Sequence, residues 1–421
     1  MTQKENAVPW EIEERGLYQL LINCLKKDIP ADETAGLAAL SPQRWQDLLA
    51  LSTMQRVTPL LWHRLKQKKL DSIVPDAAAV SLREAFRRNT MRNLRLNGEL
   101  RLLVSALNAK GIPLILLKGI ALANTVYENI SLREMNDMDI LARPADLTRI
   151  ADILIEMGYK PIAPICLDVA MLAHHHLPPL VKRGLIGFEI HWNLTNPGKR
   201  YSIDPHGLWE RAVSIQIAGN TALMLSPEDM LLHLCMHVSY LHPFHFGLRP
   251  FCDIAETIDR LSSALDWRTV VDRACDQGWQ RGVYLALRLA VELAGAAIPV
   301  DILERLQPAD MSKTVLETAR TQIFTDKSFA KSVPAPFAEL LGSGRLSDKI
   351  KIFWHRVFLP RAVIASLYSV PLGSMRIYGC YPRRLVDVLL RHGQTLKKFR
   401  KNDAAVKSLA ERTKLISNWL D

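Results

Sequence analysis

The segment Leu132-Arg133-Glu134-Met135-Asn136-Asp137-Met138-Asp139-Ile140-Leu141 constrains this chain most, because it sets two carboxylates two positions apart in a short, otherwise apolar run. In an extended strand, residues i and i+2 point the same way. Asp137 and Asp139 then share one face, where together they can hold a divalent metal. Upstream, Leu114-Ile115-Leu116-Leu117-Lys118-Gly119 reads as a buried strand ending at a glycine. Downstream, Phe188-Glu189-Ile190-His191-Trp192 reads as another strand, carrying a third carboxylate with His191 on the same face.

These strands fall in the one part of the chain whose pattern is not helical. Toward the N-terminus the apolar spacing has a helical period, as in Leu17, Leu20, Leu21 and Cys24, and again in Trp45, Leu48, Leu49 and Leu51. Ser41-Pro42 ahead of the second run is an N-cap with proline in the first turn. Between Gly111 and about Ile217 short apolar runs predict strand 113–117, helix 120–127, strand 138–142, helix 145–157 stopped by Gly158, and strands near 177–182 and 187–194. From Ser226-Pro227 onward helices are predicted over 228–240, 251–261, 266–277 and 281–294. The class expected is α+β, with four regions: a helical N-terminal region 1–108, an α+β core 109–220, a helical domain 221–340 and a basic, mostly helical region 341–421. Breaks are expected at Pro334-Ala335-Pro336 and Gly342-Ser343-Gly344.

Charge sharpens the last boundary. Of a net +11, residues 341–421 hold all the excess, with sixteen Lys or Arg against five Asp or Glu. Arg383, Arg384, Arg391, Lys397, Lys398, Arg400 and Lys401, with Tyr381 and Phe399 interleaved, read either as a solvated basic face or as a contact for nucleic acid or an anionic membrane surface. The six cysteines contain no C-x-x-C pair, which argues against a disulfide framework and a cysteine zinc site. No apolar run reaches the length of a spanning helix, and no apolar stretch follows a basic start, so no transmembrane segment and a cytoplasmic location are expected.

Strand, glycine turn and helix, then paired acids, then a lone acid is the order a nucleotidyl-transfer site needs. Charge builds on phosphoryl oxygens as an NMP group leaves an NTP, and hard Mg²⁺ or Mn²⁺ on carboxylates neutralises it. Asp137 and Asp139 are the candidate metal ligands, and Glu189 completes the set and can accept the acceptor's proton. The turn at Lys118-Gly119 presents backbone N–H groups to phosphate, and Lys118 or Arg133 adds positive charge at the β- and γ-phosphates.

Leu117-Lys118-Gly119-Ile120-Ala121-Leu122, Tyr127, Leu132-Arg133 with Asp137-Met138-Asp139-Ile140-Leu141, Gly158-Tyr159 and Glu189-Ile190-His191-Trp192 together resemble a bacterial family of uncharacterised nucleotidyltransferases in the polymerase-β-like superfamily. The likeness runs from about Leu94 to Ala294, through Ser226-Pro227-Glu228-Asp229, His237 and Leu248-Arg249-Pro250-Phe251-Cys252-Asp253-Ile254. It implies a small mixed sheet flanked by helices, embedded in helical N- and C-terminal regions, with a helical domain folding over the nucleotide. It also implies an NTP co-substrate and a divalent metal. The superfamily usually carries Gly-Ser or Gly-Gly after the first strand, where this chain has Lys118-Gly119-Ile120, so the serine contact to the triphosphate is missing.

Other readings of the same residues stay open. Glu189 can pair with Arg183, Arg133 with an acid of its own loop, and Asp253 with Arg249; His191 either orients an acid or contacts substrate. Nine of the twelve histidines lie between His174 and His245, but His233 and His237 lack the intervening glutamate of H-E-x-x-H and sit on a Leu- and Met-rich face. The function expected is Mg²⁺-dependent transfer to an unidentified acceptor, whether small molecule, protein or RNA. The alternative is a catalytically silent nucleotide- or nucleic-acid-binding module that keeps the fold.

Overall fold

A computed structural model describes residues 10–27, 36–165, 174–196, 205–325, 357–368, 373–400 and 404–421, together with positions 167, 171, 203, 354, 370 and 371. The breaks expected at Pro334-Ala335-Pro336 and Gly342-Ser343-Gly344 lie outside the described residues. The N-terminal part is helical: α1 (Trp10–Leu25), α2 (Pro42–Gln55), α3 (Thr58–Gln67) and the long α4 (Asp76–Ala109). Ser41 caps α2 by accepting from the Arg44 N–H at 3.3 Å, with Pro42 in the first turn.

The centre is α+β. Its strands are β1 (Ile115–Leu116), β2 (Asp137–Leu141), β3 (Lys160–Pro161), β4 (Leu180–Val181), β5 (Gly187–His191), β6 (Val213–Ile217) and β7 (Asn220–Met224). Helix α5 (Lys118–Thr125) follows β1, and α6 (Leu147–Glu156) follows β2. The seven strands form one mixed sheet in the order β3-β4-β5-β2-β1-β7-β6. β2 runs parallel to β5 and antiparallel to β1, while β1 runs parallel to β7. The β6–β7 hairpin is absent from the sequence reading, and it carries the sheet to Met224, past the core boundary expected at 220.

Alternation along β2 and β5 decides what faces what. Met138, Ile140, Phe188 and Ile190 are wholly buried on one side, leaving Asp137, Asp139, Glu189 and His191 on the other. Over that second side lie α7 (Pro227–Met236), which runs into a wide π-helical turn at His237–Leu241, and α8 (Arg249–Leu261). Ser226 caps α7 from the Asp229 N–H at 3.2 Å. One continuous cluster of buried apolar side chains runs from Leu17 in α1 through the sheet to Leu420 near the C-terminus. Among the described residues no helix is long and apolar enough to cross a membrane.

Candidate active site

The parallel pairing of β2 with β5 sets Asp137 opposite Gly187, Asp139 opposite Glu189 and Leu141 opposite His191. Adjacent strands bring these side chains together, so that donor atoms of Asp139, Glu189 and His191 all lie within 4.8 Å of one another. His191 Nε2 donates to Asp139 Oδ1 at 2.8 Å and stands 3.7 Å from Glu189 Oε2. Lys118 Nζ lies 3.3 Å from the same Asp139 Oδ1. Lys118 is the first residue of α5 and sits at φ +41°, a left-handed conformation that a side chain bearing a Cβ adopts only where its surroundings hold it. Asp137, half-buried, borders a cavity that Lys118, Glu189 and His191 also line.

Three carboxylates this close repel one another, which raises the cost of ionising them all. Burial, then the charges of Asp139 and Asp137, push Glu189 up to about 7. Burial and Asp139 also raise Asp137. Burial opposes ionisation of Asp139 as well, yet Lys118 and the hydrogen bond from His191 hold it below the usual carboxylate range. His191, brought down to about 4 chiefly by burial, is a neutral imidazole at pH 7. Asp139 Oδ2 and His191 Nδ1 are buried without a hydrogen-bond partner. An orphaned carboxylate oxygen beside a second carboxylate whose proton affinity is raised by burial and like charge makes an oxygen donor pair that fits a hard divalent cation, with the neutral imidazole orienting Asp139.

Arg133 is placed differently from the expectation. Its Nε and Nη2 donate to Asp253 Oδ1 and Oδ2 of α8 at 3.1 and 2.8 Å, and Nη1 donates to the Glu134 carbonyl at 3.0 Å. Tyr127 Oη donates to the same Asp253 at 2.8 Å. Arg133 still borders the cavity, but its charge is matched by a buried acid 120 residues away rather than by an acid of its own loop. The reason is burial: a guanidinium almost out of water requires a fork-to-carboxylate partner. Asp253 raises the proton affinity of Arg133 against the opposing effect of burial. Gly119 follows from this pair. A Cβ there would stand 2.3 Å from Arg133 Nη1, so the residue leaves room for the guanidinium.

Sequence reasoning missed Arg249 as a site residue and assigned it to Asp253. Arg249 instead donates through Nη1 to the Glu134 carbonyl at 2.9 Å, and its Nε is buried without a partner. Burial and then neighbouring Arg133 bring it down to about 10. It borders a cavity of about 340 Å³ together with Lys118, Asp137, Glu189, His191 and Asp253. His175, His176, His237 and His242 line the same cavity. Burial drives His237 well below its usual value and brings His175 and His242 down to about 3, so these three imidazoles are neutral at pH 7. The crowding of histidines between His174 and His245 was the available signal for this wall. Glu189 forms no ion pair with Arg183 among the described residues; its near neighbour is His191.

A family model described as "Uncharacterised nucleotidyltransferase" matches residues 41–295. No curated protein and no solved structure matches the chain.

Proposed function

The chain belongs to the uncharacterised nucleotidyltransferase family, and from that premise we propose that it moves an NMP group from an NTP to an acceptor, with Mg²⁺ or Mn²⁺ and release of pyrophosphate. The observation that carries this reading is the convergence of Asp139, Glu189 and His191 on adjacent parallel strands, with Glu189 and His191 lining a cavity that Lys118, Asp137 and Arg249 also border. Asp137, Asp139 and Glu189 hold the divalent cation, with His191 keeping Asp139 oriented. Such a cation, when bound, neutralises charge developing on the phosphoryl oxygens.

The chain's own residues account for the rest. Lys118 and the Lys118-Gly119 turn at the start of α5 meet phosphate oxygens, and Arg249 adds a guanidinium beside them. Arg133 acts through its pair with Asp253, which ties α8 to the loop before β2. The acceptor hydroxyl oxygen bonds to the α-phosphorus as the bond to the bridging oxygen breaks and pyrophosphate departs. The hydroxyl proton passes to Glu189, whose affinity for a proton is already raised by its neighbours.

One observation favours a second reading, a silent nucleotide-binding module: Lys118 already supplies Asp139 with a counter-charge, and no serine follows β1. Incubation with NTPs labelled in the α-phosphate, with Mg²⁺ and with or without cell extract, separates the two readings. Label that moves with the unmodified chain but not with Asp137→Ala/Asp139→Ala establishes transfer. NTP binding with no movement of label in any extract leaves the silent module.

A further inference from the structure

A larger cavity, about 740 Å³, lies between α4 and the Gly184–Ile186 turn that joins β4 to β5. Arg87, Arg88, Arg92 and Arg95 line it from successive turns of α4, all of them exposed. The one carboxylate in the lining is Glu84. Among the described residues only Arg88 of the four is paired, with Glu84 at 3.4 Å and both side chains largely in solvent, so the pair cancels little of the field. Like charges one turn apart destabilise a helix. The stripe therefore carries a cost that the described chain offsets only in part, at Arg88 through Glu84 and at Arg92 through the charges of Glu134 and Asp137.

Position adds a second argument. The turn forming the far wall leads directly into β5, whose first residue, Gly187, is paired with Asp137. The far wall of the groove thus ends at Ile186, one residue before the strand position paired with Asp137. Arg92 is close enough to Glu134 and Asp137 for their charges to act on it. Between the arginines, Met91 is 55 % exposed, and Leu185 and Ile186 line the opposite side. Guanidinium forks spaced along a concave surface, interleaved with apolar patches, match a chain of phosphodiesters carrying bases. The concavity does not suit a flat membrane.

We propose that this groove binds the acceptor, a single nucleic-acid strand whose backbone lies along the arginines of α4 and whose terminal hydroxyl reaches the carboxylates at Asp137. The proposal rests on the nucleotidyl-transfer reading for what happens to that hydroxyl, but the binding surface is tested apart from it.

The test is fluorescence anisotropy of the full chain with a labelled single strand of roughly 12 nucleotides, as RNA and as DNA, without metal or NTP, across a salt series. The unmodified protein is expected to bind, with affinity falling steeply with salt. Arg88→Ala/Arg92→Ala/Arg95→Ala is expected to weaken binding at least about tenfold and to reduce the log–log salt slope by about 2, near 0.7 for each phosphate that no longer meets a guanidinium. The corresponding triple lysine variant should keep most of the slope, which a merely structural role would not predict. Preference for RNA, for DNA or for neither identifies the sugar and supports the groove in each case. No binding of either strand overturns the proposal. So does undiminished binding by the triple alanine variant, which would place the nucleic acid elsewhere, such as on the basic C-terminal region. NTP binding is measured separately on the same protein preparations with Mg²⁺ added. If strands bind and NTPs do not, the transfer reading fails while the groove stands; if NTPs bind and strands do not, the reverse holds.

Discussion

On the strand side of the smaller cavity, Asp137, Asp139 and Glu189 crowd three carboxylates onto two adjacent strands, balanced within the chain by Lys118 and a hydrogen bond from His191. On the helical side, His237 and His242 are half-buried neutral imidazoles, and Arg133 is paired internally with Asp253. Both walls remove polar groups from water, but the group left over differs: on the helical wall it is a cation, Arg249 with its Nε buried and unpartnered, and on the strand wall it is a carboxylate oxygen of Asp139. A structure that merely needed to fold would not leave Asp139 Oδ2 unpartnered beside a carboxylate pushed up to about 7. On the proposed reading the strand wall meets an incoming cation, and the helical wall offers Arg249 to the phosphates while the Arg133–Asp253 pair holds its shape.

The sharpest way to break this contrast is to neutralise the strand wall. Glu189→Gln is expected to lower transfer by a factor of roughly 10² to 10⁴, and Asp139→Asn at least as much, while circular dichroism and the unfolding midpoint stay close to those of the unmodified chain. Activity of either variant near the original level would remove the strand wall from the chemistry.

The helical wall should respond in stability. Asp253→Ala leaves Arg133 buried and unpaired, with an expected loss of about 3–5 kcal/mol in urea unfolding. Adding Arg133→Leu should recover part of that loss; a double variant as unstable as the sum of its parts would show that the pair is not what Asp253 supports. Gly119→Ala drives a Cβ toward Arg133 Nη1, and its expected cost is about 1–3 kcal/mol. That cost should shrink in an Arg133→Leu background.

A further effect is one of pH. Burial brings His242 down to about 3 and His245 down to about 4, below the unfolded value of about 6.5. The unfolded chain therefore binds more protons than the folded one between those values. The stabilisation is fully present above about 6.5 and is lost as the pH falls toward 4, by up to about 1.4 kcal/mol per pH unit for each group. Urea unfolding at stepped pH between these limits checks this, and His245→Gln should flatten the slope. A slope unchanged in that variant would show that His245 titrates normally in the folded chain.

Local pattern made much of this legible. Alternation in Asp137-Met138-Asp139-Ile140 predicted a strand with acids on one face, because side-chain direction along a strand follows from position alone. Ser41-Pro42 and Ser226-Pro227 marked helix starts through caps that reach only three residues. The β6–β7 hairpin was hidden because Val213–Ile217 is largely exposed and carries little apolar contrast. Arg133 was read as a phosphate ligand because nothing near it in sequence reveals a partner 120 residues away.

By itself, the sequence determined which residues are acids on a strand, where helices begin, and that a mixed α+β centre lies between helical flanks. These properties depend on periods of two and 3.6 residues and on short-range capping. Only the tertiary structure decided that Asp139 stands opposite Glu189, that Lys118 answers Asp139 while Arg133 answers Asp253, and that Arg249 and the arginines of α4 border the two cavities. Strand register and the matching of buried charges are set by which surfaces exclude water together, and that is a property of the packed chain rather than of any window along it.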